Sequence, residues 1–485
     1  MKVLFVYKNA EWMGVEYLSS MLKSAGHETD LVFDPGAGDI EYKIPFVENI
    51  FPVKQMMVEK AVQYQPDLIA FSCLTNMWGW VKEMAASFKS RLDVPIIVGG
   101  LHPTVMPEAV ISYEHIDMIC VGEGEDALLE LVNSMEAGAI DSNIQNLWFK
   151  KEGMVTRNNV RSFRQNLDEL PIPDKELFFK YGCFKDRLYT MTARGCPYSC
   201  TYCFNDHYKT KTYEGKGAYV RQRNVANVIN ELKIFMGRYP IKEVFFYDDI
   251  FTLNEEWLNT FYGEYKQNIG LPFKCLIKPG TVKSEMAYKL KDAGLVYADV
   301  GIESGDEMLR RKHLKRRMSD STIFETADIL KNAGISFTTL NIAGFPGETA
   351  SQMFKTLRMN QELKPTTALF STFYPYPGTE LGEKVLKKGY ISEAGWKKLS
   401  AGTGSYRENS VLRLPENETV KWITVFAPIL VKVPWLENVC QKLSPNSFWR
   451  FITIFFSSPI RNSRIRLFEV LRMYVKTRRE LHKDS

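Results

Sequence analysis

Two separate series of short apolar runs, each alternating with segments of helical period, constrain this chain more than any other feature. In the first series Val3–Tyr7, Leu68–Ser72, Pro95–Val98 and Met118–Val121 read as buried strands, and Met13–Ala25, Val81–Arg91 and Asp126–Met135 as helices. In the second, strands are expected at Leu188–Thr192, Glu243–Tyr247, Phe273–Ile277, Tyr297–Gly301, Ser336–Ile342 and Thr367–Tyr374, again with helical patterns between them. Strands separated by helices pair in parallel, because a parallel crossover needs a connection of helix length. The expected fold is therefore α/β: an N-terminal doubly wound parallel sheet, then a full or partial barrel of about six β/α units, then a helical C-terminal region.

A chain of 485 residues is too long for one hydrophobic core. The expected divisions are 1–138 for the first sheet, 139–182 for a linker, 183–390 for the barrel and 391–485 for the C-terminal region. The linker holds a hairpin around Lys151-Glu152-Gly153 and a rigid connector, Leu170-Pro171-Ile172-Pro173-Asp174. A net charge of +5 is small for this length and gives no argument for nucleic-acid binding. The longest uncharged apolar stretches, such as Phe451–Ile460, fall short of the roughly 20 residues that span a bilayer. The first residues lack a signal peptide's length and cleavage site. A cytoplasmic, reducing setting follows, in which the eight cysteines point to metal rather than disulfides. The basic charge gathers at the end: from Arg450 onward there are nine Lys/Arg and three Asp/Glu. There Trp449, Phe451, Ile452, Ile454, Phe455 and Phe456 precede a run of arginines. This tail suits the surface of an anionic membrane, or equally a helix packed on the barrel with a solvated basic face.

Open parallel sheets bind ligands at the carboxyl ends of their strands. In the first sheet three such loops are rich in glycine: Asn9–Gly14, Gly99–Pro103 and Gly122–Gly124. In the second, the first strand runs into Arg194-Gly195-Cys196-Pro197-Tyr198-Ser199-Cys200-Thr201-Tyr202-Cys203. Three thiols on one tight loop converge on one metal centre, and soft thiolates select an iron–sulfur cluster or zinc. Structural zinc takes four ligands; His207 is the only local candidate for a fourth. A cubane held by three cysteines leaves one iron open to a substrate. Cys73 and Cys120 read as buried strand residues; Cys183, Cys275 and Cys440 are scattered and carry no assigned role.

The C-x3-C-x2-C loop resembles the radical S-adenosylmethionine superfamily, over roughly residues 185–390. The resemblance implies a [4Fe–4S] cluster on Cys196, Cys200 and Cys203, whose open iron binds the amino and carboxylate groups of S-adenosylmethionine. One electron then cleaves that molecule to methionine and a 5′-deoxyadenosyl radical. Later segments match in order. Tyr202 stands where relatives place an aromatic residue beside the adenine. Tyr247-Asp248-Asp249 stands at the amino-group position, unless the two acids cap a helix before Phe251. Gly301-Ile302-Glu303-Ser304-Gly305 resembles the "GIES" segment, with Glu303 and Ser304 expected to face the cofactor. Arg316 stands at the carboxylate position, with Lys315 and Arg317 as alternatives. Gly344-Phe345-Pro346-Gly347-Glu348-Thr349 resembles the "GxPGET" turn beside the adenine, through Gly344 and Pro346, and Pro375-Tyr376-Pro377-Gly378-Thr379 the loop that closes this barrel class.

Residues 1–137 resemble the Rossmann-like cobalamin-binding domain fused to many radical enzymes. Phe71-Ser72-Cys73-Leu74-Thr75, Val98-Gly99-Gly100-Leu101-His102-Pro103 and Val121-Gly122-Glu123-Gly124-Glu125 carry the likeness. It implies that Ser72, Leu74 and Thr75 line the slot for the nucleotide tail. Gly99, Gly100, Gly122 and Gly124 would let the backbone approach the cofactor, with His102 and Glu123 at its edge. One departure matters. Relatives that replace cobalt's lower ligand carry Asp-x-His-x-x-Gly after the first strand, and here Asn9-Ala10-Glu11-Trp12-Met13-Gly14 puts Glu11 where the histidine would be. Asn9, Glu11, Trp12 and Met13 are then expected beneath the corrin, with no histidine on cobalt.

The resemblance implies a cobalamin-dependent radical enzyme that methylates an unactivated carbon of a small-molecule or lipid-like substrate and takes electrons from an external donor such as flavodoxin or ferredoxin. Radical cyclisation, rearrangement or carbon–carbon coupling would use the same layout. From another class, a non-catalytic cobalamin- or cluster-binding regulator would keep the domains without needing the series Asp248, Glu303, Arg316 and Gly344–Glu348.

Overall fold

A computed structural model describes residues 1–36, 52–402, 410–446, 448–449, 452 and 472–481. Its first sheet has seven strands in the order β2-β1-β3-β4-β5-β6-β7: β1 Lys2–Lys8, β2 Glu28–Asp34, β3 Leu68–Ser72, β4 Ile96–Gly99, β5 Met118–Cys120, β6 Leu147–Lys151 and β7 Met154–Arg157. The strands β2-β1-β3-β4-β5 pair in parallel; β6 and β7 add antiparallel. Chain order reverses at β1, with β2 on one side and β3 on the other. Right-handed crossovers then put helices on opposite faces and open a crevice beyond the ends of β1 and β3. Val3, Leu4, Val6, Leu31–Phe33, Leu68 and Ile69 are fully buried, as two-sided helix cover requires. The hairpin β6–β7 turns at Glu152-Gly153, inside the segment expected to link the domains, and extends this first sheet.

The second sheet has six strands, all parallel, in the order β15-β14-β13-β12-β11-β8: β8 Arg187–Thr190, β11 Glu243–Phe246, β12 Phe273–Ile277, β13 Leu295–Glu303, β14 Ser336–Ala343 and β15 Thr367–Thr372. Between β8 and β11 lies a short antiparallel ribbon, β9 Ala193–Arg194 with β10 Arg221–Gln222. β8 and β15 are edges, so the barrel is partial. Phe246, Phe273, Cys275, Ala298, Val300 and Phe337 pack under the helices, while alternate residues on the other face stay half-open. A complete barrel fills that inner face with side chains; here those residues stay partly accessible.

The β15 edge is covered by the helix Asn417–Leu430, which packs on β15, on β14 and on the helix Ala350–Leu363. The described part of the tail, 472–481, is helical, and its Met473, Tyr474 and Leu481 join the core of the first sheet beside Leu177, Phe178 and Tyr181. Most of the aromatic and basic segment before it lies outside the described residues. Among the described residues no helix is long and apolar enough to cross a membrane.

Candidate functional site

The cysteine loop starts from a clamp at the end of β8. Thr192 donates its backbone N–H (3.0 Å) and its hydroxyl (2.7 Å) to the Asp248 carboxylate, which sits just past β11 and is buried. Burial raises the Asp248 pKa to about 6 against these hydrogen bonds. Asp248 therefore faces the β8 crossing and caps no helix, since the next helix, Glu255–Asn268, is capped by Asn254, and the more exposed acid is Asp249. Asp249 accepts from Asn205 Nδ2 at 2.9 Å, and protein crowds it closely enough to push its carboxyl up. The chain next turns at Gly195, with φ +89°; a Cβ there would stand 2.4 Å from the Tyr219 carbonyl oxygen, so only glycine fits.

Cys196, Cys200 and Cys203 follow, with Cys200 buried and the other two half-buried. The loop is pinned from both sides: Thr201 donates to the Leu314 and His313 carbonyls (3.2 and 2.8 Å), and Leu381 N–H donates to the Thr201 carbonyl (2.8 Å). Asn205 Nδ2 approaches Cys203 Sγ at 3.5 Å and Arg316 Nη1 approaches Cys200 Sγ at 3.8 Å. Burial pushes the Cys196 thiol up to about 11 and the Cys203 thiol to about 12. Among the described residues no three His, Cys, Asp or Glu side chains close on a single metal ion; ligands to a four-iron cube stand farther apart than ligands to one atom. His207 is turned elsewhere, with Nδ1 on the Gly378 carbonyl at 2.8 Å.

Of Lys315, Arg316 and Arg317, Arg316 is the one turned to the cysteine thiols, while Lys209 donates to the Pro197 and Tyr198 carbonyls and to Ser199 Oγ elsewhere on the loop. Lys315 is exposed and paired with Glu380 at 2.6 Å, and Arg317 is exposed. The Arg316 guanidinium reaches the Gly301 carbonyl, the Tyr202 hydroxyl (3.4 Å) and Glu303 (3.7 Å), while its buried Nε has no partner. Glu303 is brought to it by a register shift between Gly301 and Glu303 and by φ +70° at Glu303, a left-handed conformation that costs a side-chain-bearing residue about 1 kcal/mol or more. A Cβ on Gly301 would stand 2.7 Å from Glu303 and 2.8 Å from Arg316. Ser304, expected to face the cofactor, is fully buried: the bulge turns it inward, and its hydroxyl accepts from Asp306 N–H at 3.2 Å. Tyr202 packs near Phe345 (5.9 Å between ring centroids). Phe345 and Gly344 donate their N–H groups to Glu348 (3.1 and 2.7 Å), whose carboxyl burial raises to about 7, and Pro346 beside them is half-exposed.

In the first sheet several expected ligands are engaged by the protein itself. The Glu11 carboxylate is buried against Lys175, which also pairs with Glu16 at 2.7 Å, so Glu11 is withdrawn from the position a lower ligand would take. Trp12 stacks on Tyr7 (5.7 Å), and Met13 opens the first helix. Thr75 is buried with its hydroxyl 3.3 Å from His102 Nδ1, and Trp78 lies over the His102 ring. Burial lowers the His102 pKa to about 4, so the ring is neutral. Glu123 is held bidentately by Arg221 (2.6 and 2.9 Å), with Arg194 at 3.4 Å. Its backbone N–H donates to the Tyr213 hydroxyl (2.6 Å), which sits where a Cβ on Gly122 would be. Gly124 has ordinary space around it. What remains for a ligand is the crevice after β1, β3 and β4: Ser72, Leu74, Gly99 and Gly100, with Asn9 Oδ1 and His102 Nε2 buried and unpartnered. A Cβ on Gly100 would meet the Cys73 backbone at 2.9 Å and Ser72 Oγ at 3.1 Å.

Sequence reasoning missed the residues that join the two sheets. Arg194 lies two positions before Cys196 and pairs with Glu125 at 2.7 Å, so the cysteine loop is tied to the first domain directly. Tyr208 OH reaches Thr104 Oγ1 at 3.4 Å, and Val105 packs where a Cβ on Gly378 would be. Only Arg194, adjoining the cysteine motif, carried a signal; Arg221, Tyr213 and Lys175 become neighbours of their partners through folding alone.

A partial parallel barrel with three cysteines on its first loop, set against a doubly wound sheet, defines a two-domain radical enzyme scaffold. The family model for the radical SAM superfamily matches residues 190–359, and that for the B12 binding domain matches residues 4–132. An uncharacterized methyltransferase of Pyrococcus horikoshii is 27% identical over 393 residues, covering 80% of this chain and 81% of the relative. The anaerobic magnesium-protoporphyrin IX monomethyl ester cyclase of Rubrivivax gelatinosus is 23% identical, covering 79% and 71%. Among solved structures, the radical S-adenosylmethionine methyltransferase TsrM of Kitasatospora setae, with cobalamin and [4Fe–4S] cluster bound, aligns with a TM-score of 0.63 at 18% identity over 81% of this chain and 79% of that one. The cobalamin-dependent radical enzyme OxsB, with aqua-cobalamin and S-adenosylmethionine bound, aligns with a TM-score of 0.65 at 15% identity over 99% and 79%. The chain thus joins a B12-binding domain to a radical SAM domain. Its cofactors are a [4Fe–4S] cluster, S-adenosylmethionine and cobalamin, and the orphaned Arg316 Nε, the three-thiol loop and the glycine-lined crevice at Gly99–Gly100 fit them.

Proposed function

We propose that the chain is a cobalamin-dependent methyltransferase that acts on an unactivated carbon of a small molecule. The observation that carries this reading is the facing of the two sites: the cysteine loop, through Arg194, and the barrel mouth, through Tyr208 and Gly378, both touch the carboxyl-end loops of the first sheet. The bound groups supply one-electron cleavage of the sulfonium and a transferable methyl group. The chain's own residues bind and orient them. Cys196, Cys200 and Cys203 hold the cluster. Arg316, with a free Nε, takes the carboxylate of S-adenosylmethionine, and Asp249, steadied by Asn205, takes its amino group. Tyr202, Phe345, Gly344 and Pro346 would line the adenine side, and Glu303 lies 3.7 Å from Arg316. In the first sheet Asn9, Ser72, Leu74, Gly99, Gly100 and the His102 edge would hold the cobalamin, together with Trp12 and Met13 of the β1 loop. Lys175 holds Glu11, so the residue standing where relatives carry a histidine is engaged within the protein.

The electron comes from an external low-potential protein such as flavodoxin or ferredoxin. A cytoplasmic enzyme whose basic tail rests on an anionic membrane would meet lipid-like substrates there. A second reading, radical cyclisation without methyl transfer, is favoured by the relative of that activity. Anaerobic reconstitution with iron, sulfide and cobalamin, followed by S-adenosylmethionine and reductant, tests both. A methyltransferase forms 5′-deoxyadenosine together with S-adenosylhomocysteine. A cyclase forms the first alone, and formation of neither rejects catalysis.

A further inference from the structure

β12 ends at Ile277, and the next residue, Lys278, turns its ammonium over the cysteine loop. Its Nζ lies 4.2 Å from the ring centroid of Tyr198, which stands midway between Cys196 and Cys200. Lys278 is only 7% exposed. The titratable groups that act on it are Arg316, Cys200 and Cys196, and no carboxylate is among them. Four other buried cations among the described residues pair with a carboxylate: Lys175 with Glu11 and Glu16, Arg221 with Glu123, Arg223 with Glu231, and Arg310 with Asp320. Among the described residues Lys278 makes no ion pair.

A buried ammonium without a counter-ion is costly, and the π-face of one tyrosine offsets only part of that cost. Burial, and then Arg316, push the Lys278 pKa down, as expected for a cation still lacking its anion. The groups facing it that become anionic on metal binding are the thiols of Cys196 and Cys200. Arg316, by contrast, has a protein carboxylate within reach, Glu303 at 3.7 Å.

We propose that Lys278, seated on Tyr198, is the counter-cation of the cluster and raises its reduction potential. This rests on the cluster assignment under the proposed function. The step is a one-electron transfer: an external one-electron reductant is oxidised, and the cluster gains one negative charge. No protein bond breaks and Lys278 keeps its proton. Cluster potentials follow net charge, hydrogen bonds to sulfur and solvent exposure. A fixed cation in a poorly screened site stabilises the more negative form. Lys278 is thus a positioning charge, not a catalytic residue.

The test is an EPR-monitored redox titration of the full-length, anaerobically reconstituted protein without S-adenosylmethionine, comparing wild type, Lys278→Met, Lys278→Gln and Lys278→Arg at equal iron content. The two neutral variants are expected to lower the midpoint potential, with at least a tenfold weaker reduction equilibrium, 59 mV for one electron. Lys278→Arg should stay near wild type. Loss of iron from both neutral variants but not from Lys278→Arg would equally mark the charge as what the cluster requires. An unchanged potential in either neutral variant, or an Arg variant shifted as far as the Met variant, overturns the proposal. So does weaker S-adenosylmethionine binding at unchanged potential, which would make Lys278 a carboxylate ligand. A wild-type protein that holds no cluster fails the proposed function itself and is recognised before any variant is made.

Discussion

In the first sheet, Glu11, Thr75 and Glu123 are each held by another side chain, from Lys175, His102 and Arg221. In the second, Arg316 keeps a buried Nε with no partner, and Lys278 lacks a carboxylate. Both sheets carry their motif residues at strand carboxyl ends, yet the first commits its two acids, Glu11 and Glu123, to basic side chains, whereas the second, which also engages Asp248 and Glu348, keeps basic groups without a full set of partners. The difference teaches that a cofactor motif in a multidomain protein is read twice: some positions line the ligand, and others hold the domains in register. Gly122-Glu123 shows the second use most plainly, since Tyr213 and Arg221 of the barrel domain occupy it.

The comparison breaks most sharply at the cysteines. Cys196→Ala, Cys200→Ala or Cys203→Ala should abolish 5′-deoxyadenosine formation and cluster iron, while cobalamin retention by the first sheet, read by visible absorption, stays near wild type. Joint loss of both cofactors would mean that the two sheets do not act separately. Next in size is the seam. Arg221→Met leaves Glu123 beside a buried gap and should lower stability by about 3 kcal/mol or more, measured as the urea midpoint. Burial alone would raise the Glu123 pKa, but Arg221 and Arg194 pull it below the ordinary value. Its contribution to stability is therefore present at neutral pH and fades as pH falls through the folded-state pKa, a limb that Arg221→Met should weaken.

Asp248 has the opposite sign. The folded protein keeps its proton up to about pH 6, whereas the unfolded chain releases it near the ordinary 3.8. Stability should decline by up to about 3 kcal/mol as pH rises through that window. Asp248→Asn keeps an acceptor for Thr192 and should remove this decline from the pH–stability profile; an identical profile would show that Asp248 is ionised throughout. The smallest effect is Tyr213→Phe, which removes one buried acceptor from the Glu123 N–H and should cost about 1 kcal/mol in the same urea assay.

Much of this architecture is legible in the sequence because period and burial agree. Leu68–Ser72 and Phe273–Ile277 were expected as strands and are observed with those bounds, since each is a short apolar run with turn residues beside it. The strand Glu28–Asp34 was not foreseen: its first three residues, Glu28-Thr29-Asp30, are polar and hide the apolar run behind them. At the site, the cysteine spacing and the choice of Arg316 were legible, but the orientation of Ser304 was not. It depends on the bulge and the left-handed Glu303, which no residue pattern announces. Glu11 could be placed in its loop by offset from β1, yet its partner Lys175 is 164 residues away. Only the fold reveals that its carboxylate is taken.

The most direct test of the central account is Mössbauer spectroscopy of the anaerobically reconstituted, iron-labelled protein with and without S-adenosylmethionine. Three cysteine ligands and one open iron predict a four-iron cluster in which one site alone changes when S-adenosylmethionine is added. A spectrum unaltered by that addition, or a metal content of zinc in place of iron, would contradict the account.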